Sequence, residues 1–200
     1  MNKRIVIGLT GPTGAGKSTA AAEFARLGAR VVDCDRLGRE LLGSPECVRL
    51  LCEAYGDGIL GPDGNISRPR LAERAFSSPG ASARLNEITH PLIRREMDAR
   101  IARWFGEGAP AVVVDAALLF ESGADASCTV TVAVSAPDEV RLRRIMARDG
   151  VTREQAQARM RAQKDAAFYT ERAGYCLDGS GEAEGLREQT RALYRRLLEE

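Results

Sequence analysis

At 200 residues, with 44% hydrophobic and 28% charged content, the chain can bury one good core and has the composition of a soluble globular protein. A formal net charge of +1 argues against a nucleic-acid binder that relies on a bulk basic surface. No apolar run approaches the roughly 18 residues a membrane span needs, and five cysteines without a Cys-x-x-Cys pair, beside a single histidine, argue against a zinc site or disulfide framework and for a reducing cytoplasm.

Taken in order, Arg4-Ile5-Val6-Ile7-Gly8-Leu9-Thr10 is short, apolar and rich in β-branched residues, which predicts a buried parallel strand. It runs into Gly11-Pro12-Thr13-Gly14-Ala15-Gly16-Lys17-Ser18, with Thr19 behind it, a phosphate-loop pattern. Ala20, Ala21, Phe24, Ala25 and Leu27 then recur at helical spacing. Glycines in such a loop let backbone N–H groups point inward around a polyphosphate, and the new helix adds its positive end. Lys17 is predicted to reach the β- and γ-phosphates and the Ser18 hydroxyl to hold Mg²⁺. The chain is expected to bind a nucleoside triphosphate.

Gly28 stops the first helix, and Ala29-Arg30-Val31-Val32-Asp33 reads as a second strand, followed by Cys34-Asp35-Arg36-Leu37-Gly38-Arg39. Ligands of open α/β sheets gather at the carboxyl ends of strands, so Asp33 and Asp35 fall where a phosphoryl acceptor belongs. One of the two is expected to act as base, while the other shapes the turn or caps a helix beginning near Arg36. Residues 44 to about 108 hold no strand pattern. They contain a turn-rich segment from Gly56 to Asn65, a helix start at Ser67-Arg68-Pro69, and an amphipathic helix from His90-Pro91 onward with Ile93, Met97, Ile101 and Trp104 inward. This block is read as a helical insertion that contacts substrate.

Ala111-Val112-Val113-Val114-Asp115 is predicted as the third strand, and Asp115 resembles the second acidic motif of phosphate-loop enzymes, which orients Mg²⁺ or its waters. Thr129 to Val134 is the fourth strand, and Ser135-Ala136-Pro137-Asp138-Glu139 reads as a capped helix start. Residues 141–172 carry eight arginines and Lys164 against four acids. An Arg-rich helix, a turn at Asp149-Gly150 and a second helix opened by Thr152-Arg153-Glu154 suggest a lid over anionic phosphates, with Arg144 and Arg148 on one helix face. Tyr175-Cys176-Leu177-Asp178 is the last strand, and the final helix turns Leu186, Thr190, Leu193 and Leu197 inward.

The loop, Val32-Asp33-Cys34-Asp35 with Arg39, Leu85-Asn86 with His90-Pro91-Leu92-Ile93, Val114-Asp115 with Leu118-Leu119-Phe120-Glu121, and Arg144 through Arg148-Asp149 with Thr152-Arg153-Glu154 occur in one order over nearly the whole chain. Together they resemble the dephospho-coenzyme A kinase family. The resemblance implies ATP-dependent phosphorylation of the ribose 3′-hydroxyl of dephospho-coenzyme A, the last step in making coenzyme A. It also implies a single α/β kinase domain: a three-layer phosphate-loop fold on a mostly parallel five-stranded sheet, with a helical substrate-binding insertion and an Arg-rich lid. The expected parts are a nucleotide core at 1–43, 109–140 and 173–200, the insertion at 44–108 and the lid at 141–172. By position, the resemblance makes Asp35 the general base, has Arg39 and His90 contact or frame the substrate, and gives the transferring phosphoryl to Lys17 and Arg148 with help from Arg144.

Three departures stand out. Pro12-Thr13 replaces the Gly-Ile common in the family's loop; Pro12 removes one N–H early in the loop, so the cradle is expected to survive. Asp115-Ala116-Ala117-Leu118-Leu119 stands for Asp-x-Pro-Leu-Leu, which predicts a different kink after the strand. Cys176-Leu177-Asp178-Gly179 stands where the family has Ile-Asp-Asn, which bears on adenine contacts. The rival readings are another small-metabolite kinase with the same core, a GTP-dependent switch and a regulatory ATPase. Asp35-Arg36-Leu37-Gly38 mimics a switch motif, but no Asn-Lys-x-Asp or Thr-Lys-x-Asp guanine reader accompanies it.

Overall fold

The apolar run predicted as the first strand forms β1 (Ile5–Thr10), buried at every residue because helices cover both faces of the sheet it centres. The computed structural model describes residues 4–77 and 81–199. After β1 come α1 (Lys17–Arg26), β2 (Arg30–Asp33), α2 (Cys34–Leu41), α3 (Pro45–Tyr55), α4 (Arg68–Ala75) and α5 (Ala81–Gly106). The second half runs β3 (Ala111–Asp115), β4 (Val130–Ser135), α6 (Asp138–Asp149), α7 (Arg153–Arg161), α8 (Ala166–Thr170), β5 (Tyr175–Asp178) and α9 (Ala183–Glu199). The five strands lie in the order β2-β3-β1-β4-β5 with every pairing parallel.

The chain folds into two compact units, Met1–Asp33 with Arg100–Glu200, and Cys34–Ala99. In the first, β1 sits between β3 and β4, and Ile7 faces Val113 on one side and Val130 on the other. Ile7, Leu9, Phe24, Val113, Val132, Leu193 and Tyr194 belong to one buried cluster. Burying each side chain of this size contributes about 1.5–3 kcal/mol. The Phe24 and Tyr194 rings meet edge-on at 5.7 Å, and buried Glu23 of α1 accepts hydrogen bonds from Arg26 and from Arg191 of α9. The expected inward face of α9, Leu186, Thr190, Leu193 and Leu197, is buried. Parallel pairing brings the carboxyl ends of all five strands to one edge, where the loops that follow them gather.

In the second unit Cys47, Leu51, Ile59, Leu71 and Leu92 form a separate core. Here the structure corrects the sequence reading of α5. That helix does not open at His90-Pro91 but runs from Ala81 straight through Pro91. A proline inside a helix costs about 3 kcal/mol through its missing N–H and its clash with the preceding turn. Leu85 and Ile88, packed against the second core, and Met97, fully buried, anchor the helix on both sides of it. Two other starts also differ. α2 begins at Cys34 rather than near Arg36, which puts Asp35 in its first turn. Ser135 ends β4, and Pro137 holds the N-cap position of α6 without a side-chain cap. The turn at Asp149-Gly150 forms as expected, with Gly150 left-handed, and Thr152 opens α7 through a reciprocal capping box with Gln155.

Candidate functional site

β1 ends against the phosphate loop, and its neighbours dictate the loop's glycines. Gly11 has φ +140, and a Cβ there would lie 2.2 Å from the Val134 carbonyl oxygen. A Cβ on Gly14 would lie 2.8 Å from the Arg141 carbonyl oxygen. Side chains fit neither place, so the backbone itself lines the turn. α1 then begins at Lys17, with Ser18 and Thr19 in its first turn and no acidic residue there to neutralise the helix's positive end. The Lys17 ammonium donates to Asp115 Oδ1, with the two side chains 20% and 14% exposed. Asp33 is paired with Asp115 in the β2–β3 register, so β2 and β3 end on acidic residues at neighbouring positions of the sheet. Lys17, Ser18, Asp33 and Asp115, drawn from three parts of the sequence, thus share one corner of the sheet edge.

The outer side of the loop is held by α6 and the segments beyond it. Arg141, buried to 3% exposure, donates from Nε to the Thr13 carbonyl (2.9 Å) and from Nη1 to Asp138 (2.9 Å). The Thr13 amide donates to Gln163 Oε1 at 2.8 Å. Arg144 donates to the carbonyls of Gly179 (2.6 Å) and Gly181 (2.7 Å) and, at 3.4 Å, to those of Gly14 and Ala15. Three consecutive carbonyls, from Thr13 to Ala15, therefore face guanidinium groups. Arg148, one turn beyond Arg144 on α6, makes a two-bond contact with Asp149 (2.7 and 2.9 Å), which also accepts from Arg159 at 2.5 Å. The hydrogen bond from Arg148, with Arg159 adding to it, holds the Asp149 carboxyl below the usual carboxylate range.

The loop after β5 presses on the phosphate loop. Asp178 accepts from both the amide and the hydroxyl of Ser180. Gln189 of α9 brackets the Asp178 backbone, accepting from its amide and donating to its carbonyl. A Cβ on Gly179 would stand 2.0 Å from the Ala15 carbonyl oxygen, which explains a glycine at one of the departures noted in the sequence. Gly179→Ala is expected to destabilise the fold by about 1–3 kcal/mol and to weaken nucleotide binding, because backbone must give way on one side. Thermal unfolding and ADP titration of the variant check this; unchanged ADP affinity would overturn it.

The remaining sequence candidates lie in the second unit. Asp35 and Arg39 are exposed and one turn apart on α2, whose Leu37 is buried. Gly38 packs toward Ile93 of α5. His90 is half-buried on α5 and, with Pro91, Arg94, Arg95 and Asp98, lines an open recess of about 420 Å³. Burial, with the Arg94 charge nearby, pushes the His90 imidazole below its ordinary value, so it is neutral at pH 7. Arg95 is paired with Glu46. Among the described residues no group of three or more His, Cys, Asp or Glu side chains is arranged to hold a metal ion, and no helix is long and apolar enough to cross a membrane. Sequence reasoning missed the parts played by Arg141, Gln163 and Gln189. Arg141 was visible only as one of many arginines, and nothing local marked the two glutamines.

A family model described as dephospho-CoA kinase matches residues 5–184. A dephospho-CoA kinase of Syntrophotalea carbinolica is 41% identical over 196 residues, covering 97% of this chain and 92% of its own. The crystal structure of TT1252 from Thermus thermophilus superposes with a TM-score of 0.81 at 34% identity, covering 97% of this chain and 98% of that one. Dephospho-CoA kinase from Campylobacter jejuni shares the fold, with a TM-score of 0.73 at 24% identity and 98% of each chain covered.

Proposed function

The chain belongs to the dephospho-CoA kinase family, and from that premise we propose that it transfers the γ-phosphoryl group of ATP to the ribose 3′-hydroxyl of dephospho-CoA, releasing CoA and ADP. The observation that carries this reading is the Lys17–Asp115 pair set against a glycine loop at the start of α1, with Asp33 in register beside it. Phosphoryl transfer asks a protein mainly for position and charge. The backbone amides of Gly14, Gly16, Lys17 and Ser18 and the positive end of α1 bind the β- and γ-phosphates, with Gly11 making the entry turn, Ala15 closing the turn within the loop and Thr19 closing the first helical turn. Lys17, held ready by Asp115, exchanges that carboxylate for phosphate oxygens and draws charge from the migrating group.

Ser18 and Asp115 offer a hydroxyl and a carboxylate, hard oxygen donors that suit Mg²⁺. When bound there, Mg²⁺ supplies charge neutralisation at the phosphate oxygens. Asp35 accepts the proton of the 3′-hydroxyl as its oxygen attacks the γ-phosphorus. Arg39 and neutral His90 frame the substrate from the insertion, 44–108. Arg148, released from Asp149, and Arg144 belong to the lid, 141–172, that shields the phosphates from water. The five cysteines are free thiols, which fits a reducing compartment, and the cytoplasm is the proposed location.

The test is coupled ADP release with dephospho-CoA, adenosine, pantothenate or water as acceptor. Release is expected with dephospho-CoA and only background with the other three. Equal release in water would make the protein an ATPase, and a preference for adenosine would make it a nucleoside kinase.

A further inference from the structure

Nearly every donor in a phosphate loop is expected to face the anion, yet here the Thr13 backbone is turned the other way. Its amide is committed to Gln163 Oε1 at 2.8 Å and its carbonyl to Arg141 Nε at 2.9 Å. Pro12 supplies no N–H, and the Ala15 amide closes a turn onto the Pro12 carbonyl at 3.2 Å. The first half of the loop therefore serves as a mount, and the cradle falls to Gly14, Gly16, Lys17 and Ser18. We propose that Gln163 and Arg141 are positioning residues for nucleotide binding: gripping the peptide groups on either side of Thr13, they fix the curvature that aims the later amides at the phosphates.

The two arms come from opposite ends of one structure. Arg141 lies in the first half of α6, and Gln163 follows the end of α7. Between them α6 and α7 share a small core of Leu142, Ile145 and Ala156, flanked by Met146, Val151 and Met160, so the hairpin holds together as one body. It is thus moored to the phosphate loop at both of its feet, while Arg148 and Arg159 meet on Asp149 near its tip. The charge of Arg141 is matched by Asp138, so this arm is a satisfied buried cation and not one waiting for phosphate. A preorganised loop binds better because the ordering of its backbone does not have to be made good when the ligand arrives.

Gln163 is the arm to test, since Arg141 is buried. Gln163→Met keeps the length of the side chain and removes its acceptor; Gln163→Glu keeps an acceptor. The Met variant is expected to raise the ADP dissociation constant and the KM for ATP about tenfold, in line with a lost hydrogen bond that strands its partner. Its kcat is expected to stay within about threefold of wild type and its KM for dephospho-CoA within about twofold, as for a change confined to ground-state binding. The Glu variant is expected to recover nucleotide affinity to within about threefold of wild type. Amide exchange in a peptide spanning residues 11–16 of the ligand-free protein is expected to quicken in the Met variant and not in the Glu variant. Unchanged ADP affinity in the Met variant, equal losses in both variants, or a fall in thermal midpoint with intact affinity would each overturn the proposal. ADP binding needs no acceptor, so it tests the clamp separately from the reaction proposed above, on whose nucleotide site the clamp rests. Wild-type protein that binds ADP but leaves dephospho-CoA unphosphorylated would count against that reaction alone.

Discussion

Asp35→Asn is expected to lower kcat by about 10²- to 10⁴-fold, the usual worth of a positioned general base, while ADP affinity stays within about twofold. Asparagine copies the shape of the carboxylate but cannot take the proton of an attacking hydroxyl. Because Asp35 is exposed on the first turn of α2, its replacement disturbs little packing, and surface changes of this kind usually move stability by about 0.5 kcal/mol or less. Loss of an acid from a helix's first turn adds at most about 1 kcal/mol. Steady-state kinetics with ADP calorimetry on the same preparation separate the two quantities. Near-wild-type turnover would hand the base to Asp33. That carboxylate lies in register with Asp115, and its own Asn variant is expected to disturb nucleotide binding first.

Lys17→Met is the second large effect: kcat should fall about 10²- to 10³-fold, as when one transition-state donor is removed from a preorganised site. The structure adds a stability consequence that activity alone would miss. Without the ammonium, Asp115, at 14% side-chain exposure, loses its pairing with Lys17 while Asp33, a like charge, stays its neighbour in the strand register. Breaking a buried pair costs about 3–5 kcal/mol and an exposed one about 0–1; this partly buried pair should fall between, at about 1–3 kcal/mol. Adding Asp115→Asn to Lys17→Met removes the carboxylate charge that Lys17 offset, so the double variant should unfold at a higher temperature than the single one and remain inactive. A double variant no more stable than Lys17→Met would mean that the pair contributes nothing to the fold.

What could be read in advance was whatever the chain encodes locally. β1, the loop and α1 are contiguous, and each announces itself through β-branching, glycine spacing or helical periodicity. The acid-terminated strands were legible for the same reason. Their adjacency was not: Asp33 and Asp115 are neighbours only because β2 pairs with β3, a choice made by the packing of the whole sheet. Pro91 misled through a sound rule, since proline more often opens a helix than sits within one, and here the burial of residues on both sides outweighs it. His90 accordingly stands mid-helix, in the wall of a recess. Helical spacing puts Arg144 and Arg148 one turn apart, yet what each touches depends on Gly179 and Asp149, which no periodicity reveals. Gln163 had no signal at all: a lone glutamine between two helices becomes legible only when its amide oxygen is found on Thr13.

The strand order also governs how this protein can be made. β1 leaves the ribosome first, but both strands that flank it start far downstream, at Ala111 and at Val130. Pairings so distant in sequence form late and slowly, and a growing chain orders its early segments only as partners emerge. A nascent chain stalled at Gly108 would carry the entire glycine loop and still fail to grip a nucleotide, while its sticky first strand, Ile5–Thr10, waited for shelter. The window of greatest risk during synthesis therefore lies at the very segment on which the finished molecule depends.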